Sequence, residues 1–140
     1  MKKIKNERGQ SLVELSISLV LLLLLLSGAV EFGMAFFQFV QLRDAVQEGA
    51  LYGSMDPANT SAITARVRGS SSSPIDLTTL TPVISYVDNA DPNNPCEGEG
   101  IYVELTYNHQ IIMPFLPQIL GSNTIPLKAS VTDTILSPVC

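Results

Sequence analysis

Two carboxylates within or beside an apolar run are the side chains of this sequence with the most chemistry open to them. Residues 12–30 carry a single charge, Glu14, and positions 19–26 read LVLLLLLL without interruption. In hydrocarbon such a carboxylate costs about 2.5 to 3.5 kcal/mol on insertion scales, and it wants a cationic or hydrogen-bonding partner. At a membrane surface it would lie among headgroups and need none. Glu31 follows seventeen residues later. At about 100° per helical residue the two lie roughly 100° apart around the axis, so they cannot share one partner on one face. Glu31 reads evenly as a contact to another chain and as the mark of where the helix leaves lipid. Phe32, Phe36, Phe37 and Phe39 beside it suit an interfacial aromatic belt or a helix-packing surface, and packing is the commoner role.

Other chemistry is sparse. The sequence holds no G-x-x-x-x-G-K-[ST], no H-E-x-x-H and no G-x-S-x-G, and Gly98-Glu99-Gly100 lacks the third glycine of a dinucleotide loop. His109 is the only histidine and Lys128 the only lysine beyond the leader. A lone histidine at a strand end is far more often solvated or hydrogen-bonded than a general base. No enzyme activity, catalytic residue or cofactor is expected. Asp88, Asp91, Asn93, Glu97 and Glu99 invite a calcium reading, and a loop counted from Asn93 puts Gly98 sixth and Glu104 twelfth. Pro95 then falls third, where a side-chain oxygen is required, so a solvated acidic loop is the better reading and no metal is expected. Asn59-Thr60-Ser61 fits a glycosylation sequon and serves equally as a helix cap. Cys96 and Cys140 are the only cysteines; in an oxidising compartment one disulfide is the default, worth roughly 4 kcal/mol on the chain-entropy model. Zinc would need more ligands than these two and His109 supply at normal spacing.

The elements that must carry these residues follow from patterning. At 1.5 Å per residue, residues 12–30 reach about 28 Å, close to a ~30 Å hydrocarbon core. With 140 residues, 46% of them hydrophobic and 15% charged, the chain has material for one modest head beyond that segment. A multidomain enzyme is excluded, and a freely soluble, wholly cytosolic protein is not expected. Before Glu31 stand four basic and two acidic residues; from Glu31 onward stand four basic and eleven acidic. Basic flanks stay on the cytoplasmic side, which puts the acidic portion outside. The absence of a basic cluster there argues against nucleic acid as a partner.

From Met34 the pattern becomes periodic, with Ala35, Phe39, Leu42, Val46 and Gly49 on one stripe and Gln41, Asp44 and Glu48 opposite. Phe37 and Val40 lie off the main stripe and widen its apolar surface. The helix is expected to run unbroken to about residue 52 and to stop near Gly53, before Asp56-Pro57. Its length would be roughly 60 Å. Residues 59–68 suit a short second helix, and 69–74, GSSSSP, a flexible connection. Period-two alternation then marks three antiparallel strands around Val83–Val87, Ile101 to Tyr107 and Ile125 to Val131. Pro126 places the last at an edge, residues 88–95 form a polar loop, and 113–120, with Pro114 and Pro117, form an apolar connection. The fold class is α+β: a long N-terminal helix, a short helix and a small antiparallel sheet.

Three processing signals compete in the first thirty residues: an ordinary secretory cut after Ala29, an uncut anchor, and a cut after Gly9. Counting Gln10 as the first mature residue makes Glu14 the fifth. A short basic leader, Gly, and an apolar helix with Glu at the fifth place resemble the class III signal of type IV pilins and pseudopilins. More narrowly, residues 8–54 resemble the TadE-like family of the tight-adherence (Flp) pilus system. The likeness lies in RG-x-x-x-VE, the Leu-rich run, the box Gly28, Ala29, Val30, Glu31, Phe32 and Gly33, and the ending with Ala45, Glu48, Gly49 and Ala50. Leu51 stands where that family often has Arg. The C-terminal portion resembles the family's closing strand, Pro-containing turn and strand.

The resemblance implies a minor pilin or pseudopilin of an adhesive pilus, with cleavage between Gly9 and Gln10 by a prepilin peptidase. It implies Glu14 as the partner of a neighbouring subunit's N-terminal amine; Glu31 and Phe32 are, from their residue types and places, the further candidates for subunit packing. Its partners would be other pilin and pseudopilin subunits, the peptidase, the inner-membrane assembly platform and membrane lipid. The expected organisation is a leader at 1–9, a helix at 10–54 with a transmembrane part at about 12–30, and an extracytoplasmic head at 55–140. The alternatives are a membrane-anchored binding or adhesin module and a main filament subunit.

Overall fold

A computed structural model describes residues 7–88 and 94–137, with side chains described from residue 9. Most of the basic leader, Asp91 and Asn93 of the acidic loop, and Cys140 lie outside the described residues. The element order is α1 (Glu7–Gly53), α2 (Thr60–Gly69), a 3-10 turn (Leu77–Thr79), β1 (Val83–Val87), β2 (Gly100–Gln110), α3 (Leu116–Leu120) and β3 (Thr124–Thr134). The architecture is the expected α+β one, with a three-stranded antiparallel sheet in the order β1-β2-β3.

Helix α1 holds 47 residues, about 70 Å at the standard rise. It ends where expected, at Gly53. Asn59 caps α2 by accepting from the Ala62 N–H at 3.1 Å, the cap reading of the Asn59-Thr60-Ser61 triplet. Behind α2, Arg68 donates through Nε to the Leu80 carbonyl at 2.7 Å and so fastens the chain that leads into β1.

The sheet lays one face on the C-terminal half of α1. On β2 the buried positions alternate as Ile101, Val103, Leu105 and His109, the period of a strand with one covered face. They pair across to Asp133, Val131, Ala129 and Ile125 of β3. From β1, Ile84 and Tyr86 turn to the same core while Val83 and Val87 face outward. Pro126 lies on the edge strand β3, where a missing N–H is tolerated. Leu42, Ala45, Val46 and Ala50 of α1 and Ile63 and Val67 of α2 complete the core.

Small residues set the distance between α1 and its neighbours. A Cβ at Gly49 would lie 2.4 Å from Cγ2 of Val67, and one at Gly53 would lie 2.4 Å from Cδ1 of Ile101. The end of α1 is tied to the last described residues, since the Leu136 N–H donates to the Ser54 carbonyl at 2.7 Å.

The helical stripe expected from periodicity holds from Leu42 onward, and Leu42, Val46 and Gly49 are buried. Phe39 departs from it and is exposed. Upstream of Leu42 the sheet-facing side of α1 carries Gln38 and Glu31 instead, in steps of seven residues or four, and these meet the polar end of β2. Phe32, Phe36 and Phe37 are likewise exposed rather than packed on the head, and the Phe32 and Phe36 rings stack with centroids 6.2 Å apart.

Candidate functional site

Helix α1 is divided into two halves with different surroundings. From residue 9 to residue 26 every side chain is exposed, including the run of leucines and Glu14. The helix that carries this part is long and apolar enough to cross a membrane. From Leu42 onward the same helix supplies the core of the head. The junction between the halves is held by Glu31.

Glu31 is 6% exposed although it sits at the end of the apolar run. Its Oε1 accepts from His109 Nε2 at 2.8 Å, and its Oε2 accepts from the Met113 N–H at 2.8 Å. The Ile112 N–H lies between the two oxygens, 3.1 Å from one and 3.0 Å from the other. An ionised carboxylate is an acceptor only, and here three donors from β2 and the loop behind it converge on one. Buried backbone N–H groups need such partners, because leaving one unmade costs about 1 to 3 kcal/mol.

His109 is 2% exposed and reaches two acceptors. Its Nδ1 lies 2.6 Å from Gln38 Oε1 while Nε2 serves Glu31. A ring with an N–H on each nitrogen satisfies both; a ring with one N–H is served by turning the Gln38 amide so that its NH2 donates to Nδ1. In both arrangements Nε2 donates to the carboxylate. Gln38 follows Glu31 by seven residues, two turns of helix, so both lie on one face and grip the imidazole from below and above.

The chain beyond this clasp runs back along the apolar half of α1. Met113, Pro114 and Phe115 line a groove together with Val20, Leu23, Leu24 and Ser27. The Met113 thioether comes within 3.8 Å of where a Gly28 Cβ would stand. The expected apolar connection between β2 and β3 is present and contains one turn of helix, α3, which closes at Gly121 with φ of 69°. That left-handed conformation favours glycine and lets the Gly121 N–H reach the Pro117 carbonyl at 2.9 Å.

The remaining site residues named from sequence are not drawn together. Glu14 stands alone on the exposed helix, Gly9 lies on the first turns of α1 with open space around it, and Phe32 faces away from the head. Cys96 precedes β2, donates its N–H to Glu99 Oε2 at 2.8 Å, and is not a free thiol; its expected partner Cys140 lies outside the described residues. Among the described residues no three His, Cys, Asp or Glu side chains converge as metal ligands do. On the outer face of the sheet Glu104 accepts from Lys128 Nζ at 2.9 Å and from the Tyr102 hydroxyl. The Lys128 ammonium, then the Tyr102 hydroxyl, hold the Glu104 carboxyl below its usual value, and Glu104 in turn raises Lys128.

The clasp of Glu31, His109 and Gln38 was not legible as a unit in the sequence. The signals for it were that Gln38 lies seven residues after Glu31 and that His109 continues the inward alternation of Ile101, Val103, Leu105 and Tyr107. Comparison with curated proteins and with solved structures returned no match. Over residues 9–51 the chain matches the family model described as TadE-like protein, a likeness that runs from Gly9 through the clasp residue Glu31 to the part of α1 buried in the head.

Proposed function

We propose that the chain is a minor pilin or pseudopilin that helps to assemble a tight-adherence, type IV-like adhesive pilus. The TadE-like match supports the coarser statement, a pilus-associated protein that works with other pilus components. The observation that carries the finer one is the division of α1. A single unbroken helix offers an exposed apolar half with one carboxylate, Glu14, and buries its other half in a small head. Such a helix suits lateral packing against like helices, in a membrane first and in a filament afterwards.

In this reading residues 1–9 are a leader removed between Gly9 and Gln10 by a prepilin peptidase. Residues 10–54 form the packing helix, with about 12–30 in the cytoplasmic membrane, and residues 55–140 form a head outside it. Glu14 then meets the new N-terminal amine of an adjacent subunit, which gives the buried carboxylate the partner that hydrocarbon denies it. Phe32 supplies apolar contact between subunits, and Cys96 pairs with Cys140. Glu31 is engaged by its own chain, so its part in subunit packing is to hold the head at a fixed place on the helix.

The test is Glu14→Ala in cells that make the pilus. Removing a charge makes insertion easier, so membrane abundance and an N-terminus at Gln10, read by mass spectrometry, should both be unchanged while surface pili and adherence fall. Normal piliation at wild-type abundance would refute the assembly role and favour an anchored binding module.

A further inference from the structure

We propose that the connection between β2 and β3, residues 111–121, is a second membrane-embedded element, a finger that lies in the hydrocarbon of the outer leaflet beside α1. This rests on the reading of residues 12–30 as the membrane span. Met113, Pro114 and Phe115 line one groove with Val20, Leu23, Leu24 and Ser27, and the Met113 thioether stands beside Gly28; all of those helix positions fall inside that span. Val20 lies about 15 Å below residue 30 at 1.5 Å per residue. A segment that shares a groove with that stretch of helix lies at its depth, below the water interface, while the helix is in lipid.

The composition of the finger suits that depth. No charged residue occurs between His109 and Lys128. Ile112, Phe115, Ile119 and Leu120 are 69%, 67%, 78% and 52% exposed, so most of the finger's exposed surface is apolar, with Gln118 its exposed polar side chain. Polar backbone is the usual objection to irregular chain in hydrocarbon. Here Pro114 and Pro117 bring no N–H, the Ile112 and Met113 N–H groups are held by Glu31, and those of Ile111 and Gly121 reach the carbonyls of Asn123 and Pro117. Glu31 thus closes two of the donors of a segment entering lipid. Two attachments, helix and finger, fix the rotation of the head about the helix axis as well as its height.

The chain has no tryptophan, so single reporters can be read cleanly. The full chain would be placed at one copy per phosphatidylcholine nanodisc as four variants: Phe115→Trp and Ile119→Trp in the finger, Leu19→Trp in the span and Val83→Trp on the exposed face of β1. Phe115→Trp and Ile119→Trp should emit blue-shifted light and be quenched several-fold more by acyl-chain nitroxide lipids than Val83→Trp, as Leu19→Trp is. Finger reporters that behave like Val83→Trp while Leu19→Trp is quenched would overturn the finger alone. Loss of quenching at Leu19→Trp as well would overturn the membrane span and the finger with it. Shielding of the finger that appears only with two or more copies per disc would assign this face to a second copy instead.

Discussion

Replacing Glu31 by Ala removes the acceptor shared by three donors, the buried His109 Nε2 and the part-buried N–H groups of Ile112 and Met113. A buried donor left without a partner costs about 1 to 3 kcal/mol, and a part-buried one less. The loop carrying Ile112 is exposed on its outer side, which lets relaxation recover part of this. An expected net cost of about 3 kcal/mol follows, mostly local to the junction of head and helix. The measurement is amide hydrogen exchange of the full chain in lipid discs. At about 1.4 kcal/mol per tenfold, the Ile112 and Met113 amides should exchange on the order of 100-fold faster, while the core amides of Val103 and Leu105 change far less. Glu31→Gln keeps one acceptor oxygen and should fall between. A cycle with His109→Gln should show the two sites coupled by at least about 0.5 kcal/mol, the limit of ordinary additivity. Unchanged exchange at Ile112 and Met113, or strictly additive effects with His109, would refute the clasp.

Gly49→Ala should lower the melting temperature more than Gly53→Ala. The new methyl at Gly49 meets the β-branched Val67, and that at Gly53 chiefly meets the outer end of Ile101. Overpacking costs about 1 to 3 kcal/mol and better helix propensity returns about 1; the reverse order would contradict the packing of α1 on α2. Peptide mapping without reductant, on protein taken from the cell envelope, should recover Cys96 and Cys140 in one linked species, and two free thiols would count against the bridge. Because Glu104 is held below its usual value by Lys128, the cross-strand link is present at neutral pH and is lost as acid protonates the carboxylate. The melting difference between wild type and Lys128→Met should therefore shrink as pH falls through the carboxylate range, and a difference that persists in strong acid would exclude this origin.

Local patterning carried much of the architecture. An apolar run of sufficient length, the breakers after Gly53, the cap at Asn59 and three stretches of alternation each depend on residues adjacent in the chain, and each element formed where expected. Pro126 on an edge strand follows equally from local chemistry, since proline lacks the donor that a central strand needs. Periodicity went astray at Phe39 because it measures apolarity. It could not register that the face of α1 toward the sheet changes from apolar to polar at Gln38, where polar side chains meet a buried histidine.

What the sequence alone determined was the two longer helices, the three strands, their order and the apolar half of α1, because helix and strand periods are properties of neighbouring residues. What tertiary structure decided was which far residues meet. Glu31 and His109 are 78 positions apart, and whether they touch depends on the rotation of α1 against the register of β2. The same docking turned the apolar connection back along residues 20–27 rather than out into solvent. A carboxylate can be recognised from sequence as needing donors, but the donors it receives are fixed only when helix and sheet pack and close around it.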